Sequence, residues 1–245
     1  MLLLHGWLGS WSLWRETIQV LGRDFRTYAL DFWGFGESGD KRDSFAVADF
    51  IALVSQFMNR LGIVKAPLVG HSMGGTVSLG VALEHPEMVE KVVVIGSPIN
   101  GSSLNLLLKL LGFPITGSLV RSPIGYPLFK MGMRAYAPFM AKDAVGVWKM
   151  LMRDTDQTTT QSFFESIGTL RKTDLRPRLG EIQVPVLGIY GKKDVIVDPK
   201  QHDVLAAGVA HAQIELRPDS GHFTMLDEPE FFVNAVRNFI LANNA

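Results

Sequence analysis

Val69-Gly70-His71-Ser72-Met73-Gly74-Gly75 is the stretch on which the reading of this chain turns. A short apolar run at residues 66–69 leads into it, and an uncharged segment at 72–83 follows until Pro86. The letters G-x-S-x-G therefore fall where a strand passes into a helix, which matters more than the letters themselves. A serine at such a sharp turn adopts a strained backbone, and flanking glycines make room for the turn. Its hydroxyl is lifted above the sheet, and the Met73 N–H points into the same space from the helix N-terminus.

Outward from this turn the chain alternates short apolar runs with longer amphipathic ones. Residues 2–4 and 27–30 read as strands, with a glycine loop and a helix at 12–21 between them. Residues 44–61 give the plainest helix, because Val47, Phe50, Ile51, Val54, Phe57, Met58 and Leu61 share one face. A β-branched strand follows at 92–95. Strands separated by helices of this length imply parallel pairing with right-handed crossovers. From Pro98 to Arg178 the pattern is helical throughout, and the strand rhythm returns at 184–190 and 213–216. A last helix opens at Asp227 with Pro229 in its first turn. The expectation is an α/β fold with a mostly parallel sheet of about six strands. Residues 1–97 and 179–245 form the core, and residues 98–178 form a helical cap.

Composition narrows the function. The 245 residues carry 24 Lys+Arg against 24 Asp+Glu, 47% apolar residues and no cysteine. Disorder is excluded by the apolar content, and zero net charge argues against nucleic acid as a partner. Without cysteine there are no disulfides, thiolate metal sites or Cys nucleophile. The start, MLLLHG, lacks a basic region, and glycines and Pro67 interrupt the uncharged run at 66–83. Neither a signal peptide nor stable membrane insertion is expected, and a cytoplasmic location is the default. The cap differs from the rest: residues 101–178 hold 11 Lys+Arg against 5 Asp+Glu, leaving 13 against 19 elsewhere. Five of the ten methionines also lie there: Met131, Met133, Met140, Met150 and Met152.

Four motifs in one order give the chain a family resemblance. His5-Gly6-Trp7 follows the first strand, the Ser72 turn follows the third, and Gly191-Lys192-Lys193-Asp194 and Ser220-Gly221-His222-Phe223 follow the last two. In this the chain resembles the α/β-hydrolase fold superfamily, over essentially its whole length, and in particular the small capped serine carboxylesterases. Pimeloyl-carrier-protein methyl ester esterases are of that type. The resemblance implies an oxyanion loop at His5-Gly6-Trp7, a nucleophile at Ser72, an acid at Asp194 and a base at His222. It also implies an antiparallel hairpin before the strand ending in His5-Gly6, and the sequence begins inside that strand.

The chemistry fits these residue types. A serine hydroxyl is a poor nucleophile at neutral pH, so an imidazole must take its proton; His222 is the candidate. A carboxylate on the other ring nitrogen fixes the tautomer, which is the part assigned to Asp194. The backbone N–H groups of Trp7 and Met73 are the expected oxyanion donors. Asp198 is the rival acid, although Pro199 makes it look like a helix N-cap. His71 and His5 read as structural, and His85, His202 and His211 as solvated. Gly34-x-Gly36-x-x-Gly39 matches a dinucleotide fingerprint, but Asp40-Lys41-Arg42-Asp43 separates it from the next helix, so no nucleotide is expected. The stretch Asp31–Ser38 instead resembles the family's D-x-x-G-x-G-x-S loop.

A serine at this turn implies hydrolysis through an acyl-enzyme, with no cofactor and no metal. The expected substrates are small-molecule carboxylic esters of short to medium acyl chain. Leu107, Leu111, Met131, Met133, Met150 and Phe223 are the candidates for binding the acyl chain. Lactone and thioester hydrolysis stay open, as does a non-enzymic ligand receptor of the same fold. So does a lyase of the menaquinone-pathway type, which eliminates pyruvate and carries arginine where this chain has Thr76. A monomer or homodimer is expected.

Overall fold

The computed structural model describes residues 1–242. Six strands form one sheet: β1 (Leu2–Leu4), β2 (Tyr28–Leu30), β3 (Ala66–His71), β4 (Val89–Ile95), β5 (Val186–Gly191) and β6 (Gln213–Arg217). Their order is β2-β1-β3-β4-β5-β6, and every pairing is parallel. Strands β1, β3 and β5 are buried along their whole length, which is why they read as continuous apolar runs rather than alternating ones. The short first strand does not form the edge of the sheet. Instead β1 lies inside the sheet, and β2 forms that edge: residues 1–4 pair with it through bonds such as Tyr28 N–H to the Met1 carbonyl, 3.0 Å.

Helices fill the crossovers. They are α1 (Arg15–Leu21), α2 (Val47–Arg60), α3 (Met73–Glu84), α9 (Gln201–Gly208), the single turn α10 (Thr224–Asp227) and α11 (Pro229–Leu241). α2 packs on α3 and α1 packs on α11. α2 starts at Val47 rather than at Ser44, because the Asp49 carboxylate folds back to accept the Ala46 N–H (2.8 Å) and the Ser44 hydroxyl (2.5 Å). An acid in the first turn thus satisfies donors that the helix leaves free. The last helix starts at Pro229, and the residues before it form the separate turn α10.

Between β4 and β5 the chain builds α4 (Leu106–Leu111), α5 (Pro114–Val120), α6 (Gly125–Tyr136), α7 (Ala144–Asp156) and α8 (Thr160–Leu170). The two ends of this insertion are tied together where they leave the sheet. Gly101 N–H donates to the Thr173 carbonyl at 2.8 Å, and Leu175 N–H to the Ile99 carbonyl at 2.9 Å. A second tie joins the insertion to the segment after β5, through Asn105 N–H to the Ile196 carbonyl (2.9 Å) and Asp198 N–H to the Ser103 carbonyl (3.0 Å). The helical insertion is therefore anchored beside Asp194.

One long-range contact secures the far side. Lys91, buried on β4, directs its ammonium at the end of α11 and donates to the carbonyls of Phe239 (2.9 Å), Ile240 (3.1 Å) and Ala242 (2.5 Å). A cation here satisfies carbonyls that the helix cannot, and it complements the negative end of the dipole.

Candidate active site

Ser72 sits between β3 and α3 with φ 52° and ψ −119°, a region that non-glycine residues rarely occupy. Its N–H donates to the Ile95 carbonyl at 2.7 Å, and its own carbonyl accepts the Gly75 N–H at 3.0 Å. The strained turn is thus held from the neighbouring strand and from the helix it opens. Gly74 is required by approach: a Cβ there would overlap the carbonyls of Leu4 and His5. Any side chain would push α3 off the end of β1, and the serine with it.

Asp194 and His222, 28 residues apart in sequence, meet as a buried pair. His222 Nδ1 lies 2.7 Å from Asp194 Oδ2, and the other Asp194 oxygen accepts the N–H groups of Ile196 (2.8 Å) and Val197 (3.0 Å). Three bonds fix the carboxylate, which in turn leaves Nε2 as the free ring nitrogen of His222. The His222 N–H donates to the Met140 carbonyl at 3.0 Å, so the insertion holds this loop as well. Gly96, at the end of β4 with φ 53°, backs the pair; a Cβ there would stand 3.2 Å from His222 Nδ1. Asp198, the rival acid, is exposed, and its carboxylate accepts the Lys200 N–H in the turn before α9.

The remaining histidines separate by environment. His71 donates Nε2–H to the His222 carbonyl at 3.0 Å, and its ring lies 4.6 Å from the His222 ring. Burial first, then the neighbouring His222, holds its pKa well below the usual imidazole range, so it is neutral, with Nδ1 buried and unpartnered. His5 accepts the Phe32 N–H at Nε2 (3.0 Å) and donates Nδ1–H to the Gly6 carbonyl (2.7 Å). Burial lowers its pKa too. His5 is thus a neutral brace beneath its own loop, and Asp31, 4.0 Å away, is not an ion partner. In that loop Leu8 has φ 55°. Neither Trp7 N–H nor Met73 N–H has a backbone acceptor among the described residues.

Ser72, His71 and His222 line one cavity of about 40 Å³ with Trp7, Leu8, Leu107, Leu108, Leu111, Met133, Tyr136, Met140, Leu151, Ile196 and Phe223. Among the described residues, no lysine, arginine, aspartate or glutamate contributes to it. Of the residues expected to bind an acyl chain, Leu107, Leu111, Met133 and Phe223 are there, and Met131 and Met150 are not. Met131 is two residues from Met133 on α6, so it points away and is 66% exposed. Met150 precedes Leu151 on α7, and it is Leu151 that turns inward. Met140, one of the five methionines of the insertion, lines the cavity as well, whereas Tyr136 and Leu151 carry no sequence signal for this place; the folding of the insertion brings them in.

Two sheets of relationship now bear on the chain. The family model described as the alpha/beta hydrolase fold matches residues 1–114. The six-stranded parallel sheet and the strand-to-helix turn at Ser72 give the chain the α/β-hydrolase fold. It is similar to the pimeloyl-[acyl-carrier protein] methyl ester esterase of Vibrio parahaemolyticus (serotype O3:K6), 26% identical over 98% of this chain and 93% of that protein. A protein of Serratia proteamaculans (strain 568) that bears the provisional name carbamate hydrolase RutD is 27% identical, over 98% of this chain and 90% of that one. Among solved structures, an esterase from Exiguobacterium antarcticum superposes with a TM-score of 0.86 at 20% identity, covering 98% of this chain and 91% of that one.

Proposed function

We propose that the protein hydrolyses esters of neutral, apolar carboxylic acids through an acyl-enzyme on Ser72. The observation that carries this reading is a buried Asp194–His222 pair and a strained serine opening into one cavity whose remaining wall is almost wholly apolar. Nε2 of His222 takes the proton of Ser72 as the hydroxyl attacks the ester carbonyl. Asp194 holds Nδ1–H in place and stabilises the imidazolium that forms. The N–H groups of Met73 and Trp7 donate hydrogen bonds to the developing oxyanion, and losing one such donor typically costs about 10²–10³ in turnover. His222 then protonates the leaving alcohol, and water repeats the sequence to release the acid.

The wall argues for the acyl class. A carboxylate in this cavity would meet no cation, which weighs against the pyruvate-eliminating reaction. Thr76, the residue at the position in question, spends its hydroxyl on the Pro98 carbonyl at 2.8 Å. The helical insertion acts as a cap that excludes water from the ester and sets acyl length. Relatives named for ester hydrolysis are consistent with this chemistry. A fluorophosphonate probe should label Ser72, and aryl-ester turnover should vanish in Ser72→Ala. Asp194→Asn should lower turnover by about 10⁴, and Asp198→Asn should leave it within a few-fold. Unlabelled Ser72, or an Asp198→Asn defect larger than that of Asp194→Asn, would overturn the assignment.

A further inference from the structure

The outer face of the insertion has a composition that the reaction does not explain. From Lys91 to Lys142 the sequence contains no aspartate or glutamate, a run of 52 residues. Within it, Lys109 lies on α4, Arg121 caps the end of α5, and Lys130 and Arg134 lie on α6. Among the described residues, the one carboxylate paired with a cation of this group is Asp156 of α7, 3.5 Å from Lys130. Lys109, Arg121 and Arg134 form no ion pair among the described residues; Lys109 donates to the Ser102 carbonyl (2.7 Å) and Arg121 to the carbonyls of Thr155 (2.8 Å) and Thr158 (2.6 Å), so both are held half-buried with their charge uncompensated. Arg134 is exposed, with its guanidinium stacked over Trp148.

The same helices turn large aliphatic side chains outward. Ile115 is 85% exposed and Leu119, one turn later on α5, 64%. Ile124, at the N-cap of α6, and Leu128 and Met131 along it repeat the pattern at helical spacing, at 78%, 57% and 66%. Between α4, α5 and α6 lies an apolar groove of about 510 Å³, floored by Leu111, Phe129 and Met133. Leu107, Leu111, Met133 and Tyr136 also line the Ser72 cavity, so the groove and the cavity share a wall.

We propose that this face binds the surface of an anionic lipid bilayer, with Ile115, Leu119, Ile124 and Leu128 in the acyl boundary and the cations at headgroup level. Aliphatic side chains on one face, basic ones around them and no acid is the pattern that interfacial helices use. A protein partner of acidic character would satisfy the cations. It would be expected to meet aromatic anchors and hydrogen-bonding groups rather than a face of leucine and isoleucine. No helix among the described residues is long and apolar enough to cross a membrane, and surface binding requires none. Membrane binding stands apart from the chemistry at Ser72. If Ser72 acts as proposed, this face holds a lipophilic ester against the wall of the serine's cavity.

The test is flotation of the full chain with vesicles of phosphatidylcholine alone or with 30% phosphatidylglycerol, run on Ser72→Ala so that turnover plays no part. The anionic vesicles should carry at least tenfold more protein than the neutral ones, and 0.5 M salt should remove most of that difference. Leu106, which opens α4 on the same insertion, is 71% exposed. Ile115→Glu with Leu106→Glu should lower the bound fraction at least fivefold while hydrolysis of a water-soluble ester, measured with Ser72 intact, stays within twofold. Neither side chain lines the cavity or the groove. Three results would overturn the proposal: no flotation, equal flotation with both vesicles, or flotation indifferent to the double variant. A solution dimer that the double variant splits, with no vesicle binding, would assign the face to a second copy instead.

Discussion

Met133→Ala probes the wall between the serine and the outer groove. Met133 is 8% exposed and lines both spaces, and the inner one, about 40 Å³, has room for only a short acyl group. Truncation joins it to the groove of about 510 Å³. Each methylene that becomes buried contributes about 0.8 kcal/mol, or about fourfold in kcat/KM when the gain is expressed in the transition state. Butyrate and octanoate differ by four methylenes, so full burial sets a ceiling of about 3 kcal/mol, roughly 200-fold. The groove is open to solvent on one side, and a tenfold rise in the octanoate-to-butyrate ratio is the expected outcome. The same truncation removes packing from the insertion and should cost about 2 kcal/mol of stability, so circular dichroism must first show a folded variant. The assay is kcat/KM for p-nitrophenyl esters of both acids. A folded Met133→Ala whose ratio moves less than twofold would refute both the shared wall and the idea that the insertion sets acyl length.

Two further outcomes concern stability. His5 and His71 are buried with pKa values lowered by desolvation, so above the unfolded value of about 6.5 they are neutral in both states and contribute nothing. Below it the unfolded chain takes up protons that the fold refuses, and stability falls; from pH 7.5 to 5.5 the loss should approach about 3 kcal/mol for the pair. Urea unfolding across that range reads it, and a curve flat to within about 1 kcal/mol would mean that both histidines titrate in the fold. Lys91→Met should lower stability by about 2 kcal/mol, because three carbonyls at the end of α11 lose a charged donor while the end itself stays open to water. A urea midpoint equivalent to less than about 0.5 kcal/mol of change would show that water replaces the ammonium.

What the sequence determined by itself is what local chain stiffness and periodicity encode. β3, the Ser72 turn and α3 are contiguous, and the glycines needed for backbone-to-backbone approach are written beside the serine. The apolar stripe of α2 and the buried runs of β1, β4 and β5 follow from burial on one face or two. The motifs at Asp194 and His222 each close a strand, and a parallel sheet delivers the C-terminal ends of its strands to one side; their nearness follows once β5 and β6 are neighbours. Only the tertiary structure decided the rest. Gly96 backs the Asp194–His222 pair from a strand end that carries no motif, and Lys91 reads as a polar interruption of an apolar strand until α11 arrives above it. Met131 and Met133 are chemically alike and two residues apart, and the rotation of α6 sends one to solvent and the other to the cavity wall. That rotation is fixed by side chains from α4, α5 and α7, which no local pattern records, because the phase of a helix against its neighbours is a property of the packed assembly rather than of the segment.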